Sequence, residues 1–138
     1  KPLSILPMKQ LLVFPLLLLT SALFAQKLDE KQLYATWHLD KYSDDEAYYN
    51  PPAAEREDYL SLARDKTYQF RTEGEESQGT WMLNTNGNYL ELKSTEGETI
   101  RIYIQFLTDK SLVITFDEDL SRAWEVHYVG YDQLKESK

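Results

Sequence analysis

Residues Thr99–Phe106 read TIRIYIQF, and this stretch decides the fold class. Its apolar residues occur at every second position, and they are Ile100, Ile102, Ile104 and Phe106. Strict alternation over this length is typical of a half-buried β-strand, because successive side chains of a strand point to opposite faces. The stretch therefore predicts a strand that places these four side chains on one buried face.

The same alternation recurs in seven further segments of the chain. They are Leu33–Asp40, Tyr59–Arg64, Thr67–Arg71, Gly79–Leu83, Tyr89–Lys93, Ser111–Asp117 and Ala123–Tyr131. Most are separated by short turns such as Glu73-Gly74 and Asn86-Gly87, residue pairs that tolerate positive φ. Connections this short cannot cross over between parallel strands. The predicted fold is all-β, an eight-stranded antiparallel up-and-down barrel, since closure removes the sheet edges and a Greek-key sandwich needs longer loops.

One connection is long, and it spans Lys41–Asp58. It carries the sequence Tyr48-Tyr49-Asn50-Pro51-Pro52, after which Pro52 is a suitable first residue for one helical turn. Tyrosine has an apolar ring and a polar tip, which suits the edges of binding sites. Two interpretations follow: the segment is a lid or protein-contact patch, or it is pinned onto its own barrel.

The N-terminal segment has the pattern of an export signal. Lys9 precedes an apolar run over Leu11–Ala25 that ends in a small residue. A membrane anchor is the alternative, but the run is shorter than the roughly 20 residues that a span needs and contains Pro15. We therefore predict a signal peptide over residues 1–25, with Met8 as the start, and a barrel domain over residues 26–138.

Composition limits the partners and the compartment. The chain has 138 residues, no cysteine and a net charge of −8. Loss of Lys1 and Lys9 with the signal peptide would leave 113 residues and a charge of −10, which suits one acidic domain. Such a charge argues against nucleic acid or an anionic membrane as partner. We expect an exported protein, periplasmic or extracellular, with no stable membrane insertion after cleavage; without cysteine it has neither disulfides nor a cysteine-linked lipid anchor.

Four motifs together resemble the bacterial lipocalin-like families of small secreted or envelope proteins. They are Leu33–Leu39 (LYATWHL), Asp65–Phe70 (DKTYQF), Gly79–Leu83 (GTWML) and Leu107–Leu112 (LTDKSL). Lipocalins carry Gly-x-Trp on their first strand, with the tryptophan packed across one end of the barrel. Trp37 matches that tryptophan, although Ala35 replaces the glycine; Gly79-Thr80-Trp81 has the full form on another strand. The resemblance implies that the loop Lys41–Asp58 lies over the barrel mouth and that Arg122 packs on the tryptophan.

The inward faces of the predicted strands form the candidate ligand site. An eight-stranded barrel is just wide enough to be filled by its own side chains or to hold one small ligand. The predicted interior consists of Trp37, Leu60, Phe70, Trp81, Ile102, Ile104, Phe116, Trp124 and Tyr128, with Tyr48 and Tyr49 at the mouth. The first hypothesis is that these residues, apart from Leu60, bind a small apolar molecule. The alternative is a packed barrel that acts as a non-enzymatic interaction module through the tyrosine-rich loop, with a partner that the sequence does not identify.

Catalysis and metal binding find little support in the sequence. It has no Gly-x-Ser-x-Gly motif, phosphate-binding loop or dinucleotide fingerprint. Its serines have no inward-facing histidine to activate them, since His38 and His127 fall on the outward faces of their strands. The run Asp44-Asp45-Glu46 lacks the ligand spacing of a calcium-binding loop. We therefore predict no enzyme, no catalytic residue, no metal site and no cofactor.

Overall fold

The computed structural model describes residues 28–116 and 124–130, and their strands form a closed antiparallel barrel. The strands are β1 (Ala35–Ser43), β2 (Tyr48–Tyr49), β3 (Tyr59–Leu62), β4 (Thr67–Thr72), β5 (Glu75–Asn84), β6 (Tyr89–Ser94), β7 (Thr99–Leu107), β8 (Ser111–Phe116) and β9 (Glu125–Gly130). From β3 to β9 each strand pairs with the next, and β9 closes the barrel on β1. The predicted eight-stranded barrel is confirmed, with the short β2 added. The predicted signal peptide and Arg122 lie outside the described residues.

The core fills the barrel interior because each strand contributes one apolar face. Leu60 of β3 lies opposite Trp37 of β1 and opposite Phe70 of β4, so the apolar positions of neighbouring strands are in register. All three side chains are buried. Removing a side chain of this size from water contributes about 1.5–3 kcal/mol, so these faces supply the main force for closure.

Strand β5 is longer than the alternating pattern predicts. Its first four residues, Glu75–Gln78, are all polar and exposed. They join the sheet because the preceding turn is tight: Glu73 and Gly74 have φ of 53° and 78°, and Thr72 pairs with Glu75. Positive φ at both central residues is the geometry of the commonest two-residue hairpin. Turn geometry, and not apolar burial, extends this strand.

The prediction that Phe106 shares the buried face of β7 is wrong. A register shift lies between Ile104 and Phe106, and Phe106 pairs with Val113, whereas Leu107 pairs with the buried Leu112. An extra residue in one strand reverses the side-chain alternation that follows it. Phe106 is consequently 55% exposed, and Leu107 packs against the core in its place.

A second register shift lies in β1, between Leu39 and Lys41. Beyond it, Tyr42 pairs with the buried Val126, and Ser43 pairs with Glu125. Tyr42 therefore faces the interior, and Ser43 faces the outer wall. This shift therefore decides that the side chain of Tyr42, and not that of Ser43, points into the barrel.

One end of the barrel, which we call the closed end, is plugged by a 3-10 helix over Glu30–Leu33. Leu33 lies in this helix and not in the strand predicted for it, and Leu33 and Trp37 are both fully buried. The indole Nε1 of Trp37 donates to the Leu33 carbonyl oxygen at 3.0 Å. Nearby, Trp81 Nε1 donates to the Ala63 carbonyl oxygen at 3.1 Å, and Lys66 Nζ lies 4.4 Å from the Trp81 ring centroid.

The opposite end, which we call the open end, collects the β1–β2 hairpin, a second 3-10 helix over Ala53–Glu55 and the β4–β5 and β6–β7 turns. The second helix begins directly after Pro52, which confirms the single helical turn predicted there. Within residues 28–116 and 124–130, no helix has the length and apolar character required to cross a bilayer.

Candidate functional site at the barrel mouth

Apolar side chains on the inward face continue into the open end, where they become exposed. We define the mouth as this set of residues together with the side chains on which they rest: Tyr42, Tyr49, Phe70, Ile100, Phe116 and Trp124. Strand register assigns the inward face, since Ile100 pairs with buried Leu92 and Phe116 with buried Ile102. Ile100 is nevertheless 41% exposed. Inward-facing apolar surface that is not covered is unusual in a small domain and typical of a binding site.

The rings of Phe70 and Phe116 mark the boundary between core and solvent. Their centroids lie 6.2 Å apart with an interplanar angle of 22°. Phe70 is 1% exposed, whereas Phe116 is 37% exposed. Phe70 therefore packs in the core, while Phe116, stacked on it, exposes part of its ring at the mouth.

Tyr49 and Trp124 form a second aromatic pair. Their centroids are 5.2 Å apart at an interplanar angle of 64°, which is the edge-to-face arrangement. Tyr49 pairs with the inward-facing Tyr42 across the β1–β2 hairpin, so it lies on the mouth side of that hairpin. Trp124 is 50% exposed, and it offers the largest uncovered apolar surface of the mouth.

Asp58 is a buried carboxylate beside the mouth, only 2% exposed. It accepts hydrogen bonds from the backbone N–H groups of Glu73 at 2.8 Å and Gly74 at 3.3 Å, and Arg71 Nε lies 3.4 Å from its Oδ1. Burial raises the pKa of Asp58, although both backbone donors and Arg71 act in the opposite direction. Asp58 thus fixes the β4–β5 turn against β3 at an electrostatic cost.

Tyrosine hydroxyls supply the other polar groups here. Tyr42 donates to Glu55 Oε1 at 2.6 Å, which ties the second 3-10 helix to β1. Burial, followed by the bond to Glu55, raises the pKa of Tyr42; burial also raises the pKa of Tyr128, with smaller contributions from Tyr42 and Asp58. Both hydroxyls therefore stay protonated and neutral over the physiological range, and the Tyr42 proton is held by Glu55.

The structure divides the predicted site residues into three groups. Six line the packed interior, with exposures of 0–7%: Trp37, Phe70, Trp81, Ile102, Ile104 and Tyr128. The expectation that Phe116 and Trp124 would be buried with them is wrong, because both lie at the open end where the strands finish; with Tyr49 they belong to the mouth. Tyr48 does not lie there.

Tyr48 packs on the outer wall because it directly precedes Tyr49 in a strand, and adjacent residues face opposite sides. Tyr48 pairs with Ser43, and its ring centroid lies 5.6 Å from the ring centroid of His127. Lys41 Nζ lies 4.5 Å from the centroid of the Tyr48 ring. Asp44 closes the hairpin by accepting from the N–H groups of Glu46 and Ala47. These contacts favour the pinned interpretation of the loop over a mobile lid.

A polar cluster on the outer wall was missed by sequence reasoning. Ser43 Oγ lies 2.8 Å from His127 Nε2 and donates to Glu125 Oε1 at 3.3 Å. Pairing of the first and last strands was foreseeable, but the register shift that aligns Ser43 with Glu125 was not. Glu125 approaches the same imidazole nitrogen as Ser43, at 3.8 Å, whereas a catalytic triad needs the acid on the other nitrogen. Burial also lowers the pKa of His127, which favours its neutral imidazole in this partly buried hydrogen-bond cluster.

Two surface grooves accompany the barrel. One of about 370 Å³ is lined by His127, Phe106 and Val113 of the outer wall, among others. The other, of about 620 Å³, runs between β5 and the β6–β7 turn and is mostly polar. Of the predicted ligand-binding residues, only Tyr128 lines either groove. Among residues 28–116 and 124–130, no three histidine, aspartate or glutamate side chains converge as metal ligands would.

A family model described as a lipocalin-like domain matches residues 33–114, more than half of the chain. This chain belongs to the lipocalin-like domain family. Comparisons with curated proteins and with solved structures gave no significant match. In this lipocalin-like chain the matched span begins in the plug at Leu33 and ends in β8 at Ile114. The family match therefore includes parts of both ends of the barrel, while Phe116 and Trp124 of the mouth lie beyond it.

Proposed function

We propose that this chain is an exported lipocalin-like protein that binds a small, largely apolar molecule at the mouth, as a carrier and not as an enzyme. One observation carries the proposal: inward-facing Phe116 is stacked on buried Phe70 and is still 37% exposed. Ile100, Tyr49 and Trp124 add uncovered apolar surface at the same end. Ligand pockets combine such surface with a few polar groups, and Tyr42 supplies a neutral polar group beside it.

The packed interior limits the size and depth of the ligand. Trp37, Phe70 and Ile102 are no more than 1% exposed, so the interior has no room for a ligand. A ligand at the mouth would contact Phe70, the outermost of the three, and displace none of them. Aromatic faces suit a flat ring or an alkyl chain. We therefore propose a molecule that inserts one apolar end among Phe116, Ile100 and Trp124 and leaves its polar end in water.

A titration with a dansyl-labelled fatty acid tests this function. The wild-type chain should give a saturable rise in dansyl emission. Phe116→Asp should weaken binding at least about tenfold, because it places a charge on the apolar mouth. The matched control is Met82→Asp, since Met82 is 57% exposed on the outer wall, and it should leave binding unchanged. Absence of saturable binding in the wild type, or equal loss in both variants, would refute the proposal.

A second candidate function is an interaction module, and Tyr48 is the observation that favours it. Tyr48 is 67% exposed and stands on the outer wall, away from the mouth. A partner in the envelope or outside the cell that needs this surface should be lost from a pull-down with Tyr48→Ser. Tyr49→Ser, which alters the mouth side of the same hairpin, is the control.

Export is the remaining part of the proposal. It rests on the positive flank and the apolar run over Leu11–Ala25. Mass spectrometry of the native protein should find Gln26 at the N-terminus. A chain that keeps Leu11–Ala25 would be anchored instead.

A further inference from the structure

Strand β5 extends past its neighbour β6 and leaves a short open sheet edge. β5 pairs with β4 over Glu75–Thr80, but its pairing with β6 begins only at Gly79, opposite Ser94. Residues 75–78 are all exposed. Their backbone groups on one side are paired with β4. The backbone groups on the other side, which we call the open side, lie beyond the end of the pairing with β6.

The hydrogen-bond pattern identifies the backbone groups on the open side. Trp81 N–H donates to Lys66 on the β4 side, while the Gln78 carbonyl accepts from Thr95 N–H on the β6 side. In an antiparallel sheet, successive residues of a strand direct their backbone N–H and C=O groups to opposite neighbours. The backbone groups of even-numbered residues of β5 therefore point toward β6. Glu76 N–H, Glu76 C=O and Gln78 N–H accordingly point to the open side, where the described residues offer them no strand partner.

Gly79 marks the last close contact between β5 and β6 before the two strands part. A Cβ atom placed on Gly79 would lie 2.0 Å from the Lys93 carbonyl oxygen and 2.8 Å from Ser94 Cα. The strands approach each other more closely than any side chain allows, which is a common role of glycine within a strand. Immediately beyond, the chain turns through Thr95–Glu98 and opens the groove of about 620 Å³.

The charge of this groove determines which chain would fit. Its lining includes four glutamates, namely Glu75, Glu76, Glu96 and Glu98. In the part of the chain that the structure describes, none of the four carboxylates belongs to an ion pair; Arg71, opposite Glu76 on β4, is directed to Asp58 instead. A second copy of this chain would bring the same negative charges together, so the edge disfavours self-pairing.

We propose that the open edge of β5 binds an extended, basic polypeptide segment by strand addition. The segment would continue the sheet where β6 leaves it, bonding to Glu76 and Gln78 through its backbone. Its lysine or arginine side chains would meet the four glutamates across the groove. None of the six mouth residues lines this groove, so the proposed peptide surface and the proposed ligand site do not share residues.

Isothermal titration with two synthetic decapeptides tests the proposal at low salt. One alternates lysine and valine, and the other alternates glutamate and valine. The basic peptide should bind saturably and more weakly as salt is added, and the acidic peptide should not bind. Glu96→Lys/Glu98→Lys should reduce affinity at least about tenfold, whereas Glu46→Lys/Glu57→Lys, an equal charge change at exposed residues elsewhere, should change it less than about threefold.

A backbone variant separates strand addition from charge attraction. Glu76→Pro removes the N–H on the open side and preserves the bonds to β4, so circular dichroism should be unchanged while peptide binding is lost. Glu76→Gln is its companion, because it removes the same negative charge as Glu76→Pro and keeps the N–H. The proposal is overturned if the wild type shows no saturable binding, if Glu76→Pro binds as tightly as Glu76→Gln, or if sedimentation shows a wild-type dimer that Glu76→Pro dissolves.

Discussion

The closed and open ends of this barrel use the same residue types for different purposes. At the closed end, Trp37 is fully buried and its indole N–H is bonded to Leu33. At the open end, Trp124 is half exposed and contacts the ring of Tyr49. The first tryptophan completes a core, while the second leaves apolar surface in contact with water. The difference supports our proposal that the closed end stabilises the fold and that the open end binds the ligand.

The polar groups repeat this contrast. Indole and backbone groups satisfy each other at the closed end, with Lys66 covering Trp81 from outside. The open end instead buries Asp58, whose pKa is raised by burial. A buried carboxylate costs stability unless all its partners are in place. The open end therefore carries the electrostatic cost of a buried carboxylate, Asp58, whereas the polar contacts described at the closed end carry no such cost.

The largest expected effect is at the closed end. Trp37→Ala should lower the free energy of unfolding by about 3–5 kcal/mol, because it removes a fully buried ring and leaves a cavity. Trp124→Ala should lower it by no more than about 1 kcal/mol. Urea denaturation of both variants measures the difference, and equal losses would refute the contrast between the ends.

Asp58→Ala should have the next largest effect, a loss of about 2 kcal/mol in the free energy of unfolding. It removes the acceptor of two backbone N–H groups and the partner of Arg71. Asp65→Ala is a suitable control, since Asp65 is exposed and bonds only within its own turn. A smaller loss for Asp58→Ala than for Asp65→Ala would contradict this account.

Asp58 also predicts a pH dependence. Its pKa is raised in the folded state, so the folded state binds the proton more tightly than the unfolded one. Stability due to this proton is present below the unfolded pKa, about 3.8, and is lost as pH rises through the folded pKa. The stability of the wild type relative to Asp58→Asn should fall over that interval in a pH series of urea titrations. A difference that grows with pH would show the opposite shift.

Tyr42→Phe should cost about 1 kcal/mol, the net value of one hydrogen bond. The bond to Glu55 is short and partly buried, and it holds the second 3-10 helix on the barrel. Amide hydrogen exchange should become faster in the Ala53–Glu55 turn and stay unchanged at Glu30–Leu33. Faster exchange at both ends would mean that the ends are not independent.

The smallest expected effect is that of Lys66→Met, about 0.5 kcal/mol. Lys66 lies over Trp81 and is paired with Glu30, but it is near the surface, where water weakens both interactions. Methionine keeps the length of the side chain and meets the same positive φ of 73°. Thermal denaturation in low and high salt should show a difference that salt reduces, and a salt-independent loss would point to packing instead.

Sequence periodicity predicted the barrel, its antiparallel order and most of its interior, because burial of one strand face produces alternation directly. It failed where backbone geometry changed the alternation. The shifts after Ile104 and Leu39 moved Phe106 to the outer wall and brought Ser43 beside His127, and no residue pattern marks either shift. It also failed where strands end: Phe116 and Trp124 follow the apolar pattern, but the pattern does not show how far the core extends.

Chemical-shift mapping with a fatty acid tests the central claim most directly. Amide and indole N–H signals of the ¹⁵N-labelled protein would be followed as the fatty acid is added. We predict saturable shifts at Tyr49, Ile100, Phe116 and the Trp124 indole, with the Trp37 and Trp81 indoles and Leu33 unchanged. Shifts that concentrate at the closed end, or none that saturate, would contradict the assignment of recognition to the open end.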